Sequence, residues 1–191
     1  MDARVDKLIK NLKQRNISGL YCENKEEASQ KILEIISEDS TIGFSGSVTL
    51  EEVGVIKKLQ ARGNKVFNPY EAGISREESL SLRRQGAQAE VYLASANAIS
   101  LEGELVFFSA YGNRTAGISH AKNVIIVCGI NKITPDLAAA LERVRGYVTP
   151  LNHKRLNWPE NKQMCCQILI IESEIIADRL KVILVGEELG F

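Results

Sequence analysis

The chain has 191 residues, a length that suits one domain spanning residues 1–191 and that can bury a core without a disulfide or a metal. Its 24 basic and 24 acidic residues balance, which excludes an electrostatic case for nucleic acid or an anionic membrane as the main partner. Residues 1–15 lack the apolar core of a signal peptide, and no apolar run approaches the roughly 20 residues of a membrane helix. The four cysteines form no CxxC pair, so we expect reduced thiols and a cytoplasmic protein.

The first third of the chain alternates predicted helices with short predicted strands. An apolar stripe at helical spacing, formed by Val5, Leu8, Ile9 and Leu12, predicts the first helix. Thr49 and Glu52 have the spacing of a capping box, so we expect Thr49 to cap the third helix. In chain order we predict a helix over 2–15, a strand over 20–22, a helix over 25–37, a strand over 41–44, a helix from 49 to the glycine at 63, and a strand over 65–68.

The rest of the chain adds a hairpin and ends in two strands. A second capping box begins at Ser75 and predicts a helix there. Glu102-Gly103 is a typical hairpin turn, and Thr134 followed by Pro135 is typical of a helix start with Thr134 as the cap. Residues 148–163 are polar and lack a regular period. The further predicted elements are a helix from 75 to about 85, a strand over 90–94, a hairpin over 99–108, a strand over 123–128, a helix after 134, and strands over 166–171 and 180–185.

The repeated alternation of strand and helix predicts an α/β fold with a mainly parallel sheet and helices on both of its faces. The hairpin and the two C-terminal strands are expected to add antiparallel pairing. In such sheets ligands bind outside the carboxyl ends of the strands, so the turns that follow the strands are the places to look for a site.

Two of these turns offer contacts for an anion. Gly46, Ser47 and Thr49 lie between a strand and a helix start, where backbone N–H groups and the helix dipole favour negative charge. The alternative is a tight turn with a good cap. Asn97 follows another strand, and its amide can donate and accept hydrogen bonds, unless it only shapes a bend. Glu102 is a weak candidate for a catalytic nucleophile or base, because Glu-Gly is also an ordinary hairpin tip.

Two later turns carry amide and cationic side chains. Asn113 and Arg114 follow a predicted strand, and the Arg114 guanidinium suits a bidentate contact with a carboxylate or phosphate. The alternative is a surface arginine in a polar loop. Asn131 and Lys132 follow the most apolar strand and are candidates for the same cleft, with a capping turn and a solvated lysine as the alternative. We include Asn131 among the predicted ligand contacts.

The histidines and the tryptophan give weaker signals. His120 and His153 are far apart and show no spacing typical of metal ligands, so no metal site is predicted. Trp158 precedes a proline in the irregular stretch, where anchoring the loop is favoured over stacking on a ligand.

Five strings of this sequence, in register over nearly the whole chain, resemble the LUD-domain (lactate utilisation) family, formerly DUF162. They are GFSGSVTLEEVG from Gly43, YLASANAISLEGELV from Tyr92, YGNRTAGIS from Tyr111, VIIVCGINKI from Val124 and VILVGEELGF at the C-terminus. The resemblance implies a fold akin to CoA-transferase-like and ribose-5-phosphate-isomerase-like α/β proteins. It also implies a setting in organic-acid metabolism, since larger relatives belong to systems that oxidise L-lactate to pyruvate with separate iron–sulfur subunits.

The resemblance leaves several points open. Related short members carry a cysteine-rich stretch before the last two strands, whereas this chain retains only Cys165 and Cys166 there. Two adjacent thiols cannot supply a four-ligand cluster site, so the resemblance implies that a metal site has been lost if relatives have one. The family supplies no catalytic residue set, and no cofactor is assigned.

The leading hypothesis is a LUD-family protein of lactate-type metabolism that binds a small anionic ligand. Iron–sulfur lactate-oxidation subunits are the partners that the resemblance implies, and homo-oligomerisation stays open. One alternative is a non-enzymatic sensor or assembly subunit. A less favoured one is a CoA-transferase-like enzyme with Glu102 as its nucleophile.

Overall fold

The computed structural model describes residues 3–191, so the predicted start of the first helix at Asp2 lies outside the described residues. Over this range the helices are α1 (Ala3–Gln14), α2 (Lys25–Ile35), α3 (Val48–Val53), α4 (Val55–Arg62), α5 (Arg76–Ala87), α6 (Asn113–His120), α7 (Leu137–Arg143) and α8 (Thr149–Arg155). The strands are β1 (Ser18–Cys22), β2 (Ile42–Phe44), β3 (Val66–Phe67), β4 (Val91–Ala94), β5 (Ala98–Ser100), β6 (Leu105–Ser109), β7 (Asn123–Gly129), β8 (Ile133–Thr134), β9 (Gln167–Ile171) and β10 (Leu180–Val185). A 3-10 turn spans Ile130–Lys132 and a π-helical turn spans Val144–Val148.

Within residues 3–191 the strands form two sheets. The larger has six parallel strands in the order β1-β10-β7-β4-β2-β3. The smaller has the order β8-β5-β6-β9, in which β6 pairs antiparallel with both β5 and β9. The predicted α/β class, with a mainly parallel sheet and an antiparallel addition, is confirmed.

The larger sheet is apolar on both faces because each face has its own cover. Alternate residues of one strand, such as Leu93 and Tyr92 on β4, belong to different clusters. Leu93 packs with residues of α2, α3 and α4, including Ile32 and Leu59. Tyr92 packs with residues of α1 and α6 and with the inner face of the smaller sheet, including Phe107. The predicted coverage of both faces is confirmed.

The prediction for the two C-terminal strands is wrong in part. β9 pairs antiparallel with β6 in the smaller sheet, whereas β10 lies between β1 and β7 and is parallel to both. The reason lies in burial. β10 is buried almost throughout, as an interior strand of a parallel sheet must be, and β9 is only partly buried.

Two predicted helix caps are also wrong. Ser47, not Thr49, caps α3, and its Oγ accepts a hydrogen bond from the Leu50 backbone N–H. Asp136, not Thr134, caps α7, because Thr134 pairs in β8 and leaves the next carboxylate to accept the Ala139 N–H at 2.8 Å. The Ser75 cap of α5 is confirmed.

Residues 148–163 contain a helix that the sequence did not predict. α8 follows directly from the π-helical turn, and Pro150 lies in its first turn, where a missing N–H costs nothing. None of its side chains is fully buried, so it lacks the apolar stripe from which a helix is recognised. Among residues 3–191, no helix has the length and apolar character needed to cross a membrane.

Candidate functional site

A cleft forms where the carboxyl ends of three neighbouring strands meet. β2, β4 and β7 are adjacent in the larger sheet, so the turns that follow them converge. The segment 45–49 follows β2, Ser95 and Asn97 follow β4, and Lys132 follows β7. Arg114, in the first turn of α6, completes the cleft from the side of β6.

Arg114 joins two of these turns to strand β6 by hydrogen bonds. Its Nη1 donates to Asn97 Oδ1 at 3.0 Å and to the Phe108 carbonyl at 2.9 Å. Its Nη2 donates to the Gly46 carbonyl at 2.8 Å, and its Nε donates to Ser45 Oγ at 3.2 Å. All four acceptors are neutral, and burial lowers the pKa of the guanidinium. The positive charge of Arg114 therefore has no counter-charge from these partners.

Lys132 forms the floor of the cleft and is almost completely buried, with 2 % of its surface exposed. Its Nζ donates to Thr49 Oγ1 at 2.6 Å and to Ser95 Oγ at 2.7 Å. Burial lowers the pKa of Lys132 to about 8, an effect that the nearby charge of Arg143 increases. The ammonium group is held by hydroxyl groups, and within residues 3–191 neither it nor Arg114 forms an ion pair.

The cleft has a small inner part and a larger outer part. The inner part, next to Lys132, has a volume of about 40 Å³ and is lined by no aspartate, glutamate or histidine side chain of the described range. The outer part, about 410 Å³, is lined by Tyr70, Tyr111 and Trp158 among others. Arg114 and Arg155 border both parts, so the two parts lie side by side.

The backbone of the β2–α3 turn contributes less than the sequence suggested. The Gly46 N–H donates to the Tyr70 hydroxyl at 2.5 Å, so this donor already has a partner. α3 has only six residues and ends at Gly54, which has the left-handed φ of 69°. Such a short helix has a weak dipole, so the positive potential of the cleft comes from side chains.

Of the predicted contacts, the structure brings Gly46, Ser47, Thr49, Asn97 and Arg114 together in the inner part.

The other predicted residues lie apart from this group. Asn113 borders only the outer part, and its carbonyl accepts a hydrogen bond from the Tyr92 hydroxyl. The Asn131 side chain does not line the cleft; its amide holds the C-terminal segment by contacts with Leu189 and Gly190. Glu102 is exposed at the β5–β6 hairpin tip, and its carbonyl accepts from Arg15 Nε at 2.6 Å.

Sequence reasoning did not select four further residues that line the inner part, namely Ser95, Asn152, Arg155 and Phe191. Lys132 was a candidate for the cleft together with Asn131, and of the two only the lysine lines the inner part, where it lies buried at the end of the 3-10 turn. Arg155 had no recognisable signal, because α8 was not predicted. Arg143 reaches the cleft wall from α7, where its Nη1 donates to the Asn97 carbonyl at 2.8 Å.

The thiols lie outside the inner part. Cys22 and Cys128 are buried, Cys165 is partly buried and Cys166 is exposed. Burial raises the pKa of Cys22 to about 11, as expected for an inert core thiol. Across residues 3–191, no group of three or more His, Cys, Asp and Glu side chains is arranged to hold a metal ion.

The LUD domain model matches residues 5–185. The chain belongs to the LUD domain family. The structure of this LUD-domain protein is similar to the crystal structure of a DUF162 family protein from Deinococcus radiodurans, with 13% identity, 96% of each chain covered and a TM-score of 0.61. It is also similar to ribose 5-phosphate isomerase A from Neisseria gonorrhoeae, with 17% identity, 59% of this chain and 54% of that chain covered, and a TM-score of 0.38. No curated protein sequence matches this chain.

Proposed function

We propose that this LUD-domain protein binds a small anion, a carboxylate or a phosphate, in the inner part of the cleft, and that it serves organic-acid metabolism of the lactate type. The observation that supports binding is a surplus of hydrogen-bond donors. Lys132 and Arg114 each have one N–H without an acceptor among residues 3–191. The side-chain nitrogen of Asn97 also donates to no acceptor in this range. An anion would supply both acceptors and negative charge.

The energetics supports the same interpretation. A buried cation without an acidic partner lowers the stability of the fold, and a hydrophobic residue of similar volume would avoid this cost. Lys132 is such a cation, and Arg114 adds a second positive charge beside it. Groups held in an unfavourable state by their surroundings are typical of functional sites.

The chemistry available to the site is electrostatic. The donors of Arg114, Lys132 and Asn97 would stabilise negative charge on a bound oxyanion, and in a transition state they would do so without reorganising. The role of a sensor or assembly subunit is the second candidate. It requires only the binding cleft and no turnover.

The proposal is tested by calorimetry and thermal unfolding with L-lactate, pyruvate and inorganic phosphate at constant ionic strength. We expect at least one of them to bind and to raise the unfolding temperature. Arg114→Lys and Lys132→Met should each weaken binding at least tenfold and reduce the rise in unfolding temperature. Glu102→Gln is the control, because Glu102 lies outside the cleft, and it should bind like the wild type. Absence of binding by all three anions, or unchanged binding in both site variants, contradicts the proposal.

The metabolic role needs its own experiment. Deletion of the gene in its host should slow growth on L-lactate as the carbon source and leave growth on glucose unchanged. The arginine variant should fail to restore growth, whereas the Glu102→Gln control should restore it. Equal growth of the deletion strain on both carbon sources contradicts a role in lactate-type metabolism.

A further inference from the structure

The outer part of the cleft is much larger than a small carboxylate needs. Its volume of about 410 Å³ lies within the range of roughly 300–1,000 Å³ that is typical of sites for larger ligands and cofactors. It adjoins the inner part, and Arg114 borders both. A ligand held by its anionic group at Lys132 would therefore have room for a second moiety.

Aromatic rings form much of the outer wall. Tyr111 and Trp158 meet edge to face, with ring centres 5.9 Å apart and an angle of 74° between the planes. The Arg83 guanidinium lies 4.7 Å from the centre of the Tyr70 ring and 5.6 Å from that of Tyr111. Aromatic faces and arginine planes are the groups on which nucleic-acid bases stack. Tyr111 is 56 % exposed, so much of its ring is free to take such a contact.

The indole N–H of Trp158 is a buried donor without an acceptor. It is the one buried side-chain nitrogen or oxygen among residues 3–191 that has no hydrogen-bond partner. A buried tryptophan N–H normally finds an acceptor, and an unsatisfied one calls for an explanation. Trp158 also lines the outer part, so its ring forms part of the wall that a bound ligand would contact.

We propose that the cleft binds a mononucleotide, with its phosphate in the inner part and its base against Tyr111 and Trp158 in the outer part. A nucleotide combines the two features that match these walls: a compact anion for the inner part and a planar ring for the aromatic outer part. The inference rests on the proposed anion site and specifies what is joined to the anion. It also changes the role of Trp158 from a loop anchor to a ligand contact.

The single tryptophan of the chain provides a direct measurement. Its fluorescence is titrated with AMP, ribose 5-phosphate, inorganic phosphate and adenosine. We expect AMP to change the emission and to bind at least tenfold more tightly than ribose 5-phosphate, since base stacking adds affinity that the sugar phosphate lacks. Adenosine, without the phosphate, should bind at least tenfold more weakly than AMP. Equal affinities for AMP and ribose 5-phosphate overturn the inference but leave the anion site intact.

Three variants locate the base, with affinities measured by calorimetry because one of them removes the fluorophore. Tyr111→Leu and Trp158→Phe should each weaken AMP binding at least threefold without changing the affinity for inorganic phosphate. Tyr147→Leu is the matched control, because Tyr147 is similarly exposed, at 52 %, but does not line the cleft. Unchanged AMP affinity in the first two variants overturns the inference. If no phosphate or carboxylate binds, the proposed anion site itself is contradicted.

Discussion

Lys132 Nζ donates to Thr49 Oγ1 and to Ser95 Oγ, so a buried ammonium group at the floor of the cleft is held by two neutral hydroxyls. Hydroxyl oxygens satisfy two of its donors but do not compensate its charge. Burial consequently lowers the pKa of Lys132 to about 8 from an ordinary value of 10.5. The same charge that would attract an anion therefore lowers the stability of the free protein.

Replacing this charge should stabilise the fold. A pKa lowered from 10.5 to about 8 corresponds to about 3 kcal/mol of unfavourable free energy for the charged form. Loss of two hydrogen bonds offsets part of the gain, at about 1 kcal/mol each. We expect Lys132→Met to raise the free energy of unfolding by about 1 kcal/mol at pH 7, measured by urea denaturation. The control is Lys58→Met, which removes a lysine–serine hydrogen bond outside the cleft and should change stability by less than about 0.5 kcal/mol. Destabilisation of Lys132→Met would show that the charge is compensated.

The stability of the wild type relative to Lys132→Met should depend on pH in one direction. The folded protein releases the Lys132 proton near pH 8, whereas the unfolded chain holds it up to about 10.5. Between these values the unfolded state binds more protons, so the relative stability of the wild type rises with pH. Below pH 8 both states are protonated and the difference is constant. Urea denaturation of both proteins from pH 6 to 10 measures the trend. If the free energy of unfolding of the wild type minus that of Lys132→Met falls above pH 8, the lowered pKa is contradicted.

Anion affinity should change with pH in the opposite sense. At pH 9, one unit above the pKa of Lys132 in the folded protein, only about a tenth of the free protein carries the Lys132 charge. The apparent anion affinity should therefore be about tenfold weaker than the affinity of the charged form. Calorimetry with L-lactate, whose own charge is constant over pH 7–9, measures this. The Lys132→Met variant should bind weakly and equally at both pH values. If the wild-type affinity does not change between pH 7 and 9, anion binding does not depend on the Lys132 ammonium group.

The sequence predicts the fold well because the signals for the strands are local. The apolar runs that form β4, β7 and β10 are buried on both faces, and the Glu102-Gly103 turn closes the β5–β6 hairpin as expected. Each depends on the residues of one segment, so a single sequence is enough to recognise it.

The site is harder to predict because its residues are selected by contacts between segments. Thr49 has the spacing of a cap, but Lys132, 83 positions along the chain, takes its hydroxyl, and Ser47 caps the helix. Asn131 and Lys132 are adjacent and equally polar, and only the 3-10 turn decides that the lysine enters the cleft. Arg155 lies on a helix without a buried face, which periodicity cannot detect.

Arg114 should be irreplaceable even by lysine. Its four hydrogen bonds join the turns after β2 and β4 to strand β6, and a lysine cannot reproduce the planar arrangement of donors. We expect Arg114→Lys to lower the free energy of unfolding by about 1–3 kcal/mol and anion affinity at least tenfold. Arg62→Lys is the matched control. Arg62 donates to three neutral acceptors, the Asn64 side chain and two carbonyls at the end of α2, and does not line the cleft, so this variant should lose similar stability and keep its anion affinity. Equal anion affinities of the two variants would contradict a direct role of Arg114 in binding the anion.

The position of Arg114 depends in turn on how closely α6 approaches the sheet. Gly117 lies against the ring of Tyr92, and a Cβ at this position would overlap that ring. Tyr92 is 1 % exposed and its hydroxyl donates to the Asn113 carbonyl, so the ring has little freedom to move. We expect Gly117→Ala to lower the free energy of unfolding by about 2–3 kcal/mol, a typical cost of overpacking, and to weaken anion binding as α6 shifts.

Gly146→Ala is the control. A Cβ there meets nothing within 4 Å, so this helical substitution should add about 0.5–1 kcal/mol of stability and leave binding unchanged. Denaturation and calorimetry on both variants test the pair. Wild-type anion affinity in a destabilised Gly117→Ala protein would show that the cleft tolerates a displaced helix.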